Sequence, residues 1–101
     1  MFKTIVFMLA ISIPAVASAE TECTAKVIRI WAGNGGNVMI TLANGGNAVI
    51  TPNDPNREAA LAIALTAQTT DRTVTVRYNA SNLACNTTVN DFAGIFLNSN
   101  P

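Results

Sequence analysis

Residues 24–51 read TAKVIRIWAGNGGNVMITLANGGNAVIT, and the period of this stretch decides the fold. Val38, Ile40 and Leu42 alternate with Met39 and Thr41, which places an aliphatic trio on one face of an extended strand. Asn34-Gly35-Gly36-Asn37 precedes that strand, and Asn44-Gly45-Gly46-Asn47 follows it. Each reads as a turn whose glycines can adopt positive φ. A phosphate-cradling glycine loop would feed a helix N-terminus, whereas both of these feed strands. Residues 24–32, 38–42 and 48–51 are therefore expected to form a three-stranded meander. In the first strand, Ile28 and Ile30 are expected on one face, and Val27, Arg29 and Trp31 on the other.

Past the meander, Pro52-Asn53-Asp54-Pro55 marks a change of element. Asp54 is a suitable N-cap, with Pro55 at the first helical position and Glu58 in the first turn. A helix is expected from there to about Gln68. Leu61 and Leu65, four apart, are expected to face the sheet, and most of the other residues are alanine. A helix without a polar face is usually covered on more than one side, and in so small a domain the second cover can be another copy of the chain. Residues 69–72 read as a turn and 73–79 as a strand, with Val74, Val76 and Tyr78 opposite Thr73, Thr75 and Arg77. Residues 81–91 read as an Asn- and Thr-rich loop. A last strand over 92–97 sets Phe92, Gly94 and Phe96 against Ala93, Ile95 and Leu97.

The front of the chain has the parts of a secretory signal: Lys3, an apolar run over residues 5–13, Pro14, and the small residues Ala17-Ser18-Ala19. Cleavage is expected before Glu20, giving residues 1–19 as signal peptide and 20–101 as one domain. The apolar run is shorter than the roughly 20 residues that span a bilayer. The expected location is secreted or periplasmic, with no membrane insertion of the mature chain. An exported chain with two cysteines, Cys23 and Cys85, is expected to oxidise them to one bridge. The alternative, two free thiols on a metal, lacks ligands, since the chain has no histidine. On the chain-entropy account, closing so long a loop stabilises the fold by about 4 kcal/mol.

From Glu20 onward the chain carries five basic residues (Lys26, Arg29, Arg57, Arg72, Arg77) against six acidic ones, a net charge of −1. No basic patch is present to neutralise a row of phosphates, which argues against nucleic acid as a partner. The element order of three strands, a helix and two strands is that of a mostly β, small OB-fold-like five-stranded barrel with one helix and one disulfide.

The cysteine opening the first strand (Cys23-Thr24-Ala25-Lys26-Val27), the strand's end at Ile30-Trp31-Ala32, the Gly/Asn turn, the Ala/Leu-rich helix leading to Thr73-Val74-Thr75-Val76-Arg77-Tyr78, and a second cysteine ahead of the last strand occur here in one order. In that order and spacing the chain resembles the small exported proteins similar to the B subunit of subtilase cytotoxin. The resemblance implies an OB-type fold, a Cys23–Cys85 bridge, and a ring of identical subunits whose helices line a channel and whose outer surface binds glycans. No sugar-contacting residue is carried over from the toxin.

An enzyme needs an acid, a base or a metal at workable spacing. With no histidine, both cysteines paired and the carboxylates scattered through caps and turns, no catalytic or metal-binding set is expected, and no cofactor. Sugar recognition needs an aromatic face for the ring and planar polar groups for the hydroxyls. Trp31 and Arg29 on one strand, Tyr78 and Arg77 on another, and the turn residues Asn34 and Asn37 are the candidate ligand-binding set. Their competing reading is structural, with Trp31 and Tyr78 in the core or an interface and the asparagines serving only the turns. The expected function is a non-enzymatic binding module for a glycan or a partner protein, able to form a homo-oligomer. The alternative is an exported structural protein that acts by self-association.

Overall fold

The computed structural model describes residues 20–99. The signal peptide expected over residues 1–19 lies outside them. Six strands and one helix follow in the order β1 (Thr21–Ala32), β2 (Val38–Leu42), β3 (Asn47–Ile50), α1 (Arg57–Thr70), β4 (Thr73–Tyr78), β5 (Thr88–Val89) and β6 (Phe92–Leu97). A 3-10 turn over Asn34–Gly36 joins β1 to β2. The strands form one sheet in the order β5-β3-β2-β1-β4-β6. Its two outermost strands are consecutive in the chain, separated only by Asn90 and Asp91. One short segment thus pairs in parallel with β3 at one edge and antiparallel with β4 at the other. The sheet is curled into a half-closed, OB-like barrel.

β1 is long enough to serve both halves. Its first part pairs with β4, from Thr21 opposite Tyr78 to Lys26 opposite Thr73. Its second part pairs with β2, and the register slips between Val27 and Arg29. Ile28 is the extra residue of this bulge, which bends the strand. Because of it, Ile28 and Ile30 do not share a face as expected. Ile28 is 57% exposed, whereas Ile30 packs against the core. β6 departs in the same way. A register slip opposite Arg77/Tyr78 leaves Ala93 unpaired, so Phe92 joins Ile95 and Leu97 on the inner side while Phe96 faces out. The expected loop over 81–91 contains β5, a strand the sequence pattern did not announce.

The strictly alternating strands match their pattern. Val38, Ile40 and Leu42 of β2, and Val74, Val76 and Tyr78 of β4, are buried and meet in one core with Val27, Ala48, Ile50, Val89 and Phe92. Cys23 points into that core and is bonded to Cys85 across 62 residues, tying the start of β1 to the loop ahead of β5. The β2–β3 turn packs on this loop. Gly46 is buried, and a Cβ there would fall 2.1 Å from the Cys85 carbonyl oxygen, so the position admits only glycine without rearrangement.

α1 begins two residues later than its sequence suggests. Asp54 Oδ1 accepts the Asn56 N–H at 2.8 Å and the Asp54 carbonyl accepts the Arg57 N–H at 3.1 Å, so Asp54 builds a turn and Asn56 takes the cap position. The helix also absorbs Thr69 and Thr70 and ends where Asp71 adopts the left-handed conformation. Its buried face is Ala60, Ala64 and Ala67, not the expected Leu61 and Leu65. Leu65 is 48% exposed, and Leu61 lies on the flank. Small side chains bring the helix axis close to the strands, where leucine would hold it off. Ala64→Leu is expected to destabilise the fold by about 1–3 kcal/mol through overpacking, and Leu65→Ser to change it by less than about 0.5 kcal/mol, as for an exposed site. Urea unfolding of the two variants checks the assignment of faces.

Candidate functional site

The bulge in β1 divides the outer surface of the sheet into two regions with different chemistry. On the β1–β4–β6 side the polar groups are spent on one another. Arg77 Nε donates to Glu22 Oε2 at 2.9 Å, Glu20 lies 3.5 Å away, and the guanidinium sits 5.2 Å above the Phe96 ring. The hydrogen bond to Glu22, with the charges of both glutamates, raises the Arg77 pKa above its ordinary value. Thr24 and Thr75 share a hydroxyl hydrogen bond at 2.7 Å, and Asn98 Nδ2 donates to both Thr73 and Thr75. Arg77, expected as a ligand-binding residue, is engaged in ion pairs on its own sheet face.

Tyr78 is placed differently again. It is 2% exposed and belongs to the inner row of β4, away from Trp31 and Arg29. Burial, and second the charge of Asp91, raise its pKa above the usual phenol value. Asp91 holds the approach to β6: its Oδ2 accepts the Ala80 N–H, and its carbonyl accepts the Asn79 backbone and side-chain amides. Its Oδ1 is buried without a hydrogen-bond partner among the described residues.

The β1–β2–β3 side leaves Trp31 and Arg29 exposed beside a bonded polar row. Register sets Trp31 beside Met39 and Val49 in one row across the strands, and Arg29 beside Thr41, Asn47 and Thr88 in the next. Thr41 Oγ1 donates to Asn47 Oδ1 at 2.7 Å, and Asn47 Nδ2 donates to Thr88 Oγ1 at 3.1 Å, so the second row is a connected polar chain. Arg29 is exposed at its end and forms no ion pair among the described residues. Trp31 is 48% exposed. Its six-membered ring lies directly on Gly33, where a Cβ would fall 1.8 Å from two ring carbons. Glycine at 33 thus provides the floor on which the indole rests. Asn37 is half-buried between the 3-10 turn and β2, and its carbonyl accepts the Gly33 N–H at 3.1 Å. Asn34 lies within the 3-10 turn itself.

Of the six expected ligand residues, Trp31 and Arg29 come together on one exposed face, while Arg77 and Tyr78 do not join them. Sequence reasoning singled out Asn47 only as one of the turn asparagines able to donate and accept, and missed Thr41, Thr88 and Gly33. Thr41, Asn47 and Thr88 form a cross-strand row that only the register reveals, and β5, which supplies Thr88, carried no strand signal.

A concavity of about 220 Å³ opens away from this face, between the start of α1 and β6, lined by Asn56, Ala59, Ala60, Ile63, Phe92, Gly94 and Ile95. Its walls are apolar apart from Asn56, and it holds no titratable side chain. No group of acidic, cysteine or histidine side chains suited to a metal occurs among the described residues, and no helix among them is long and apolar enough to cross a membrane. No protein-family model matches the chain, and no curated protein matches it at a significant level.

Two measurements check these placements. Tyr78 is the only tyrosine, so tyrosinate absorbance reports it alone. Its transition is expected above the ordinary value of about 10 in the folded protein and at that value in denaturant. The stability carried by the neutral phenol is present in full below the unfolded pKa and is lost as pH rises through the folded pKa. Tyr78→Phe is expected to remove this alkaline loss. Trp31 is likewise the only tryptophan. Gly33→Ala is expected to lift the indole from its seat and collapse its near-UV dichroism, while far-UV dichroism, read from the strands and helix, stays unchanged.

Proposed function

We propose that this chain works as an exported, non-enzymatic binding module that recognises a glycan on the outer face of β1, β2 and β3. The observation that carries the reading is the half-exposed Trp31 ring seated on Gly33, next to Arg29, which forms no ion pair among the described residues, and the Thr41–Asn47–Thr88 hydrogen-bonded row. A flat aromatic surface takes the C–H face of a pyranose. Hydroxyl, amide and guanidinium groups held beside it take the sugar hydroxyls. The resemblance to the B subunit of subtilase cytotoxin points the same way, and the signal-like front of the chain supports export. A glycan array probed with the oxidised protein tests the reading. Binding to a defined sugar class, lost in Trp31→Ala and weakened in Arg29→Ala, is the expected result. Absence of binding to every sugar class at high protein concentration overturns it and leaves a protein partner for the same face.

A second reading, self-association, is favoured by α1. Between Ala59 and Thr70 the helix has no charged residue, and its outward face presents Ala59, Ala62 and the exposed Leu65. A helix of this kind suits close approach of a second copy, as in the ring that the resemblance implies. Light scattering is expected to give a mass several times that of one chain, and a lower mass for Leu65→Glu. A monomer at high concentration removes the ring and leaves the glycan face untouched.

A further inference from the structure

The repeated Asn-Gly-Gly-Asn motif gives the chain two Asn-Gly steps, Asn34-Gly35 and Asn44-Gly45. In such a step the glycine nitrogen can attack the asparagine side-chain carbonyl, because no Cβ on the glycine shields it and its backbone turns freely. The fold treats the two steps differently. At the second, the Gly45 N–H donates to the Leu42 carbonyl at 3.0 Å, and Asn44 Oδ1 accepts the Gly46 N–H at 2.9 Å. The nucleophile and the carbonyl it would attack are both held. Gly46 is in turn clamped against the Cys85 carbonyl, so this turn cannot relax without disturbing the loop that carries the disulfide. At the first step, Gly35 is exposed with φ 80°, and nothing lies within 4 Å of where its Cβ would be. Its N–H donates to no backbone carbonyl among the described residues; the turn is closed instead by the Gly36 N–H on the Gly33 carbonyl at 3.2 Å.

We propose that Asn34 is a site of spontaneous modification in the folded protein and that Asn44 is protected from it. The Gly35 nitrogen gives its proton to solvent base and bonds to Asn34 Cγ. The Cγ–NH2 bond breaks and ammonia leaves, closing a succinimide. Water then opens the ring at either carbonyl, giving aspartate or isoaspartate. Water is the only co-reactant, and nothing is oxidised or reduced. The product adds one carboxylate to the loop between β1 and β2, where β1 delivers Trp31. Its isoaspartate form also lengthens the loop backbone by a methylene. The charge and shape of that loop then change with the age of the molecule, while its sequence twin between β2 and β3 stays intact.

Incubation of the oxidised, full-length domain at mildly alkaline pH, followed by peptide mapping, tests this. The peptide containing Asn34 is expected to gain the acid and isoaspartyl forms. Conversion at Asn44 is expected to be slower by about tenfold or more, since two hydrogen bonds of ordinary net strength must open first. In reduced, denatured protein the two sites should react at similar rates, and Asn34→Gln should abolish the major product of the folded protein. Equal rates at the two sites in the folded protein overturn the proposal, as does an Asn34 that stays intact when folded but reacts when denatured.

Discussion

The structure depends on one strand having two sets of partners. β1 uses its first six residues on β4 and, from Val27 on and across the bulge at Ile28, the remainder on β2. The extra residue adds a local bend to the ordinary twist of the strand. Bend and twist together help bring the two sheet edges within reach of one short connecting segment. The same bulge separates the two outer faces. On one side, charges and hydroxyls are already paired. On the other, Arg29 and Trp31 are held out beside a polar row. A backbone irregularity of one residue thus contributes to the curl of the sheet and sets the position of the candidate site.

The second constraint is the size of the core. A chain of this length buries only a modest apolar surface, and folds of its class draw part of their stability from crosslinks. Here the crosslink starts inside the core at Cys23 and ends on the loop that Gly46 packs against. The covalent tie, the β2–β3 turn and the entry to β5 therefore form one connected region. The helix meets the barrel through alanine, which gives little transfer energy per residue but lets backbone approach backbone. Arg57 adds a link from the other end, donating to the Gly36 carbonyl at 3.2 Å.

How much of this was legible in the sequence follows from how local each cause is. β2 and β4 could be read almost residue by residue, because strict alternation of branched aliphatic residues has one physical solution. The bulges at Ile28 and Ala93 could not, since each is dictated by the curvature of the whole sheet and not by its own neighbours. The buried face of α1 was misassigned because leucine is the more hydrophobic residue, while the deciding quantity was the separation between helix and strand. Tyr78 was legible as a core residue, for it continues the row of Val74 and Val76. Its chemistry as an aromatic drew it into the candidate site against that pattern. Trp31 and Arg29 were found from their alternation along one strand. The Thr41–Asn47–Thr88 row stayed hidden, because it joins residues whose adjacency exists only after three strands have paired. The support Gly33 gives Trp31 stayed hidden too, because it depends on where the ring comes to rest.

The pairing pattern also sets a schedule. β1, β2 and β3 meet across short turns and can assemble as soon as they are synthesised. The opening half of β1 has no partner until Thr73–Tyr78 exists, and Cys23 has none until Cys85 does. Contacts that span so much chain are slow to form, since their loop-closure entropy is lost before any pairing offsets it. A chain assembled from its front therefore carries a finished meander and a waiting N-terminal arm until the segment from Thr73 to Cys85 follows, and only then can strand pairing and the Cys23–Cys85 bond lock the molecule.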